Sequence, residues 1–77
     1  MFSKNKTYNG YKNYETWNVA LFINNNIEVY EEARICADYR TFVKWMGWGG
    51  VYKTTDGIDL DCSELDIHEL DGVLKEL

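Results

Sequence analysis

The chain has no proline, only two cysteines, a single histidine and no long apolar run among its 77 residues. Each of these shortages excludes something. Without proline there is no proline-rich linker, and no low-complexity stretch or internal repeat divides the chain, so it reads as one small domain over residues 1–77. Cys36 and Cys62 lie far apart with no second cysteine near either, which excludes CxxC-type zinc and redox chemistry. The longest apolar run, Val19 to Ile23, falls far short of the ~20 residues that span a bilayer. The opening MFSKNKTYNGYKN has no apolar core of a signal peptide. These features predict a cytoplasmic protein with free thiols and no membrane association.

Basic residues are also scarce where they would be needed to hold phosphates. The formal net charge is −5, and it is unevenly spread. Lys4, Lys6 and Lys12 stand near the start, whereas residues 54–77 hold eight acids against Lys75. Such a body is unsuited to nucleic acid bound by phosphate neutralisation. The acidic third reads either as a solvated helix face or as a surface for a basic partner.

What the chain has in abundance is aromatic surface. Aromatics make up 16% and hydrophobic residues 45% of the sequence, a folding composition. Three Trp, six Tyr and three Phe predict a small core built from large pieces. So small a body cannot enclose all twelve rings, so some must lie outside and offer a binding face.

The pattern predicts an all-α fold, a compact domain of three or four helices with a turn or tiny hairpin near residues 51–60. Residues 1–12 are polar and read as a frayed start, with a short hairpin about Asn9-Gly10 as the alternative. Asn13 is placed to cap a helix over Tyr14–Asn24, with Glu15 in its first turn. Trp17, Val19, Ala20, Leu21, Phe22 and Ile23 cover most of that helix, which predicts a central position with Trp17 and Leu21 in the core. The triplet Asn24-Asn25-Asn26 can end one helix and cap the next. The second helix runs from Ile27 towards Asp38, its Glu28, Glu31 and Glu32 suited to the helix N-terminus. Tyr39, Phe42, Val43 and Met46 recur at helical spacing, so the third segment either continues the second or starts anew at Asp38. Asp56-Gly57 signals a two-residue turn. In the last helix Asp66 and Glu69 match a capping box, Ile67, Leu70, Val73, Leu74 and Leu77 form the apolar face, and His68, Glu69, Asp71 and Lys75 the polar one.

Few residues suggest chemistry. His68 lies on a polar helix face, and no Ser or Cys has a nucleophile's context. The acids Asp56, Asp59 and Asp61 bracket a glycine, but a calcium loop centred on Gly57 would need an acid where Tyr52 stands. Gly47-Trp48-Gly49-Gly50 lacks the lysine of a phosphate loop. The expectation is therefore no enzyme, no cofactor and no metal. Recognition is the better lead. Trp45 and Trp48, at i and i+3 where a helix runs into glycines, are of the residue type enriched at binding hot spots, with Trp45 off the apolar stripe. Asp56, Asp59 and Asp61 would form a charged rim beside them. The alternative is that both tryptophans close the core from its edge.

The segment Asn13-Tyr14-Glu15-Thr16-Trp17-Asn18-Val19-Ala20-Leu21-Phe22-Ile23 resembles the N-Y-E-T-W-x-V-A-L-[FW]-I element of a group of short, uncharacterised bacteriophage and bacterial proteins. Thr55-Asp56-Gly57-Ile58 and Glu64-Leu65-Asp66 are also similar to that group. The resemblance implies a phage-like context and carries no activity. Asn13, Tyr14, Glu15, Thr16, Trp17 and Asn18 read first as structural, with a polar-aromatic binding patch as the other reading. The leading functional expectation is a small phage-type accessory protein that binds and modulates a host protein. An acidic nucleic-acid mimic acting in counter-defence and a small-ligand or nucleotide binder are the alternatives. The mimic requires Asp56, Asp59, Asp61, Glu64, Asp66, Glu69 and Asp71 to form one face.

Overall fold

A computed structural model of the chain describes residues 8–77; the part of the expected frayed start that falls on residues 1–7 lies outside the described residues. Over residues 8–11 the hairpin alternative is the one observed. Tyr8 and Tyr11 form an antiparallel bridge, with mutual backbone hydrogen bonds of 2.7 and 2.9 Å. Asn9 and Gly10 both have positive φ, 50° and 91°, as the tight turn between two antiparallel segments requires.

The described residues form an all-α domain of four helices: α1 (Tyr14–Asn25), α2 (Ile27–Arg34), α3 (Tyr39–Trp48) and α4 (Ile67–Lys75). Each begins at a side-chain cap. Asn13 accepts from the Thr16 N–H, Asn26 from those of Glu28 and Val29, Asp38 from that of Thr41 and Asp66 from that of Glu69. Asn26 alone separates α1 from α2, so the asparagine triplet both ends and starts a helix. Asp38 divides α2 from α3, so these are two helices and not one bent one.

The capping box at α4 is only half formed. Glu69 does not return to the Asp66 N–H, because the Thr16 hydroxyl accepts that proton at 3.0 Å. Glu69 instead accepts from the Lys12 N–H at 2.8 Å. Both α4 donors and acceptors are thereby turned outward to fix the start of α1.

The helices α2 and α4 lie against each other and against both remaining helices, while α1 makes no close backbone approach to α3. The expectation that the first helix is central is therefore corrected: α1 and α3 flank the α2–α4 pair. The core runs through Val19, Ala20 and Ile23 of α1, Val29 and Ala33 of α2, and Phe42 and Met46 of α3, with Leu60, Leu65, Leu70 and Leu74 closing it. Tyr39 and Phe42 are its only aromatics among the described residues, so the core is mostly aliphatic and not built from large rings. Trp17 and Leu21 are half-buried, outside the core predicted for them. Trp17 packs instead on the rings of Tyr8 and Tyr14, with centroids 4.9 and 5.7 Å away.

Residues 51–60 form a turn closed by a single antiparallel bridge between Lys53 and Asp59. The loop has three residues, not the two expected. The Thr54 N–H donates to Ile58 O across it at 2.8 Å, the Ile58 N–H donates to the Thr54 hydroxyl at 3.1 Å, the Gly57 N–H donates to Thr54 O at 2.9 Å, and Gly57 takes the left-handed conformation at φ 92°.

Candidate functional site

The N-terminal motif residues act inside the molecule. The Asn13 amide donates to Glu64 O at 2.7 Å while its oxygen caps α1. The Thr16 hydroxyl receives the Asp66 N–H. Buried Asn18 donates to the Asp56 carboxylate at 2.7 Å and accepts from the Thr54 hydroxyl at 2.7 Å. Three polar residues at i, i+3 and i+5 thus tie α1 to the chain between residues 54 and 66. Tyr14, exposed, stacks edge-on against Tyr8, and Glu15 is half-buried. No described buried side-chain nitrogen or oxygen lacks a partner.

The acidic third is also largely committed to internal donors. Asp56 serves Asn18, and Asp59 pairs with Lys53 at 2.8 Å. Asp66 caps α4, Glu69 receives the Lys12 N–H, and Asp71 receives the first N–H of α3, from Tyr39, at 2.8 Å. The polar face of α4 is therefore not wholly solvated: Glu69 and Asp71 are half-buried hydrogen-bond acceptors, while His68 is exposed. Asp61 points no bond at a described group, but with burial its charge helps push the Tyr39 hydroxyl pKa up. That hydroxyl donates to Leu60 O at 2.6 Å, buried.

Trp45 and Trp48 do come together. Their ring centroids are 5.2 Å apart with planes at 72°, an edge-to-face pair. Neither closes the core. Trp45 is 47% and Trp48 76% exposed. The helix carrying them ends at Gly49, and beyond it Gly50 has φ 87°, which turns the chain so that the Val51 N–H donates to Met46 O at 2.8 Å. The Tyr52 ring then lies against Gly47, where a Cβ would stand 3.3 Å from Cε1.

This pair forms one wall of an open groove of about 930 Å³. Phe22, Val29, Met46 and Val51 line its apolar depth. The start of α2 also lines it, with Ile27, 75% exposed, followed by Glu28, Glu31 and Glu32. Those three acids lie at i, i+3 and i+4 and so share one helix face. Thr54 and Thr55 close one end, which brings the Asn18–Thr54–Asp56 cluster to the groove's edge. Sequence reasoning found the tryptophans but missed the α2 wall. Its signal was present in the spacing of the glutamates and in Ile27, an apolar residue opening an otherwise polar turn. Asp56, Asp59 and Asp61 do not line the groove.

Among the described residues no group of three or more His, Cys, Asp or Glu is arranged to hold a metal ion. No described helix is long and apolar enough to cross a membrane. Cys36 and Cys62 are free and half-buried; burial, then the charges of Glu32 and Asp38, push the Cys36 thiol pKa up, away from reactivity.

Fold and surface together define a small four-helix domain whose described surface carries an aromatic-walled groove. The chain belongs to a family of unknown function (DUF7249), whose family model matches residues 4–77. No curated protein and no solved structure matches it.

Proposed function

We propose that the protein is a non-enzymatic protein-binding module, a phage-type accessory protein that takes a segment of a host protein into the α2–α3 groove. The observation that carries this reading is the Trp45–Trp48 pair, held edge-to-face and exposed on the wall of an apolar groove. Exposed tryptophan is costly to solubility, and rigid aromatic area is what binding hot spots use. The phage-type setting rests on the resemblance of the Asn13–Ile23 element, and a host-cell cytoplasm follows from the same reading.

Two features favour this reading over its alternatives. A nucleic-acid mimic needs its carboxylates turned outward, and five of the seven it would use accept from donors within the chain. A nucleotide binder needs a flat slot for a base, and the two indoles meet at 72° as a corner.

The test uses matched baits, wild type and Trp48→Ala, on host lysate, followed by binding of the purified retained protein. The expected result is a partner held by the wild type and weakened at least ~2 kcal/mol, about thirtyfold, by Trp48→Ala. The circular dichroism and melting temperature of the variant should match wild type, since an exposed ring contributes little to stability. Equal retention by both baits would overturn the reading.

A further inference from the structure

The groove is not merely apolar; its two walls differ in kind, and the difference specifies an occupant. From α3 come the two indoles, and from α2 the row Glu28, Glu31 and Glu32. The basic residues of α2 and α3, namely Arg34, Arg40 and Lys44, do not line it. The one basic residue among the described lining, Lys53, is held 2.8 Å from the Asp59 carboxylate. A cation entering the groove therefore meets the indole rings and carboxylates in its lining. Both attract it, the first through the ring quadrupole and the second through charge.

The secondary structure restricts the occupant further. The groove is walled by helix side chains and a short turn, and the described residues contain no strand ladder. An extended peptide would find no edge to extend, so the recognition available is side chain to side chain, as when an amphipathic helix lies in a groove. A second copy paired groove to groove is a poor match, since it would set the same three glutamates against their own row.

Resting on the protein-binding reading above, we infer that the groove receives a basic amphipathic helix of the partner. Its apolar face packs on Phe22, Val29, Met46 and Val51. Its Lys or Arg side chains pass between the tryptophans and the α2 glutamates, their stems on the rings and their heads at the carboxylates.

The probes are two synthetic helices of about 18 residues. One is patterned from leucine and lysine, and in the other every lysine is replaced by glutamate. Affinities are measured by calorimetry, with tryptophan fluorescence as a second signal, on wild type, Trp48→Ala and the triple variant Glu28→Gln, Glu31→Gln, Glu32→Gln. The lysine peptide should bind at least about tenfold more tightly than the glutamate peptide, and less tightly as salt is raised. The triple variant should lose about tenfold towards the lysine peptide and much of the salt dependence, and Trp48→Ala should weaken binding by a similar factor. All the exchanged side chains are exposed, so the fold is retained and circular dichroism confirms it.

Binding of the lysine peptide that the triple variant leaves intact would overturn the inference, because the acidic third of the chain would then be the attractant. Equal binding of both peptides through Trp48 would overturn it while leaving the protein-binding reading in place. A dimer at micromolar protein that Trp48→Ala dissolves would assign the groove to a second copy and likewise overturn it. Failure of the protein-binding reading is read separately, as equal retention of the natural partner by wild type and Trp48→Ala.

Discussion

Asn18 and Asp56, separated by 38 residues, are joined by a 2.7 Å hydrogen bond in which the α1 amide donates to the carboxylate of the 54–57 turn. The same amide's oxygen accepts from Thr54, so both ends of a buried side chain are used. Exchanging donor for acceptor here tests whether this geometry holds the turn in place. Asn18→Asp would set two carboxylates face to face. One must then keep its proton, which raises its folded pKa and makes the variant lose stability as pH rises above the ordinary carboxyl value of ~3.9. The double variant Asn18→Asp with Asp56→Asn restores one donor and one acceptor and should recover most of the melting temperature at pH ~7. Additive losses in the double variant would show that the pair does not interact.

The burial of the aromatics ranks two truncations. Phe42 is fully buried, so Phe42→Ala should cost ~3–5 kcal/mol, much of the stability of a domain this size. Trp17 is larger but rests half-exposed on Tyr8 and Tyr14. Trp17→Ala should therefore cost about 1–2 kcal/mol, the worth of a partial burial and an aromatic contact. Urea melts decide this, and a Trp17 loss equal to that of Phe42 would contradict the packing described.

Tyr39 closes a buried bond to Leu60 O at 2.6 Å. Tyr39→Phe keeps the ring and leaves that carbonyl without its donor, at a cost of ~1–2 kcal/mol. In a domain of this size the melting temperature should drop by about 4–8 °C per kcal/mol. An unchanged melting temperature would mean that water or another donor replaces the hydroxyl.

The Asp38 cap gives a pH dependence of known sign. The Thr41 N–H, and then its hydroxyl, hold the Asp38 carboxyl below its ordinary 3.8. Because the folded value lies below the unfolded one, the stabilisation is complete above the unfolded value and is lost as pH falls through the folded one. Asp38→Asn keeps a capping oxygen without the charge. Between pH ~5 and ~3 the wild type should lose more melting temperature than Asp38→Asn. Parallel losses in the two proteins would refute the assignment.

Much of the fold is legible in the sequence because it is local. Asn13, Asn26, Asp38 and Asp66 cap through bonds to residues two or three positions on, and the α3 and α4 stripes follow helical period. The position of α1 is not legible in this way. A helix apolar almost all round looks central, yet Trp17 spends its surface on the Tyr8 turn and Phe22 on the groove. The capping box at Asp66 is misleading for a related reason, since a hydroxyl fifty residues away competes for the same N–H. For the site, Trp45 and Trp48 were identifiable by type and spacing. The glutamates share one face by spacing and Ile27 stands among them, but the helix dipole already accounts for acids at a helix start, so that signal gains a second meaning only once α3 is in place.

The Asn18 cluster has a consequence for how such a protein can diverge. Thr54 belongs both to that cluster and to the lining of the groove, so Asn18 of α1 is bonded to a residue of the groove. Trp45, Ile27 and the α2 glutamates are exposed and can each be exchanged alone. Asn18, Thr54 and Asp56 are interlocked, and a change at one strands a buried donor or acceptor at another. Members of the family should therefore vary along the groove walls while keeping these three residues together, or replace them only in concert.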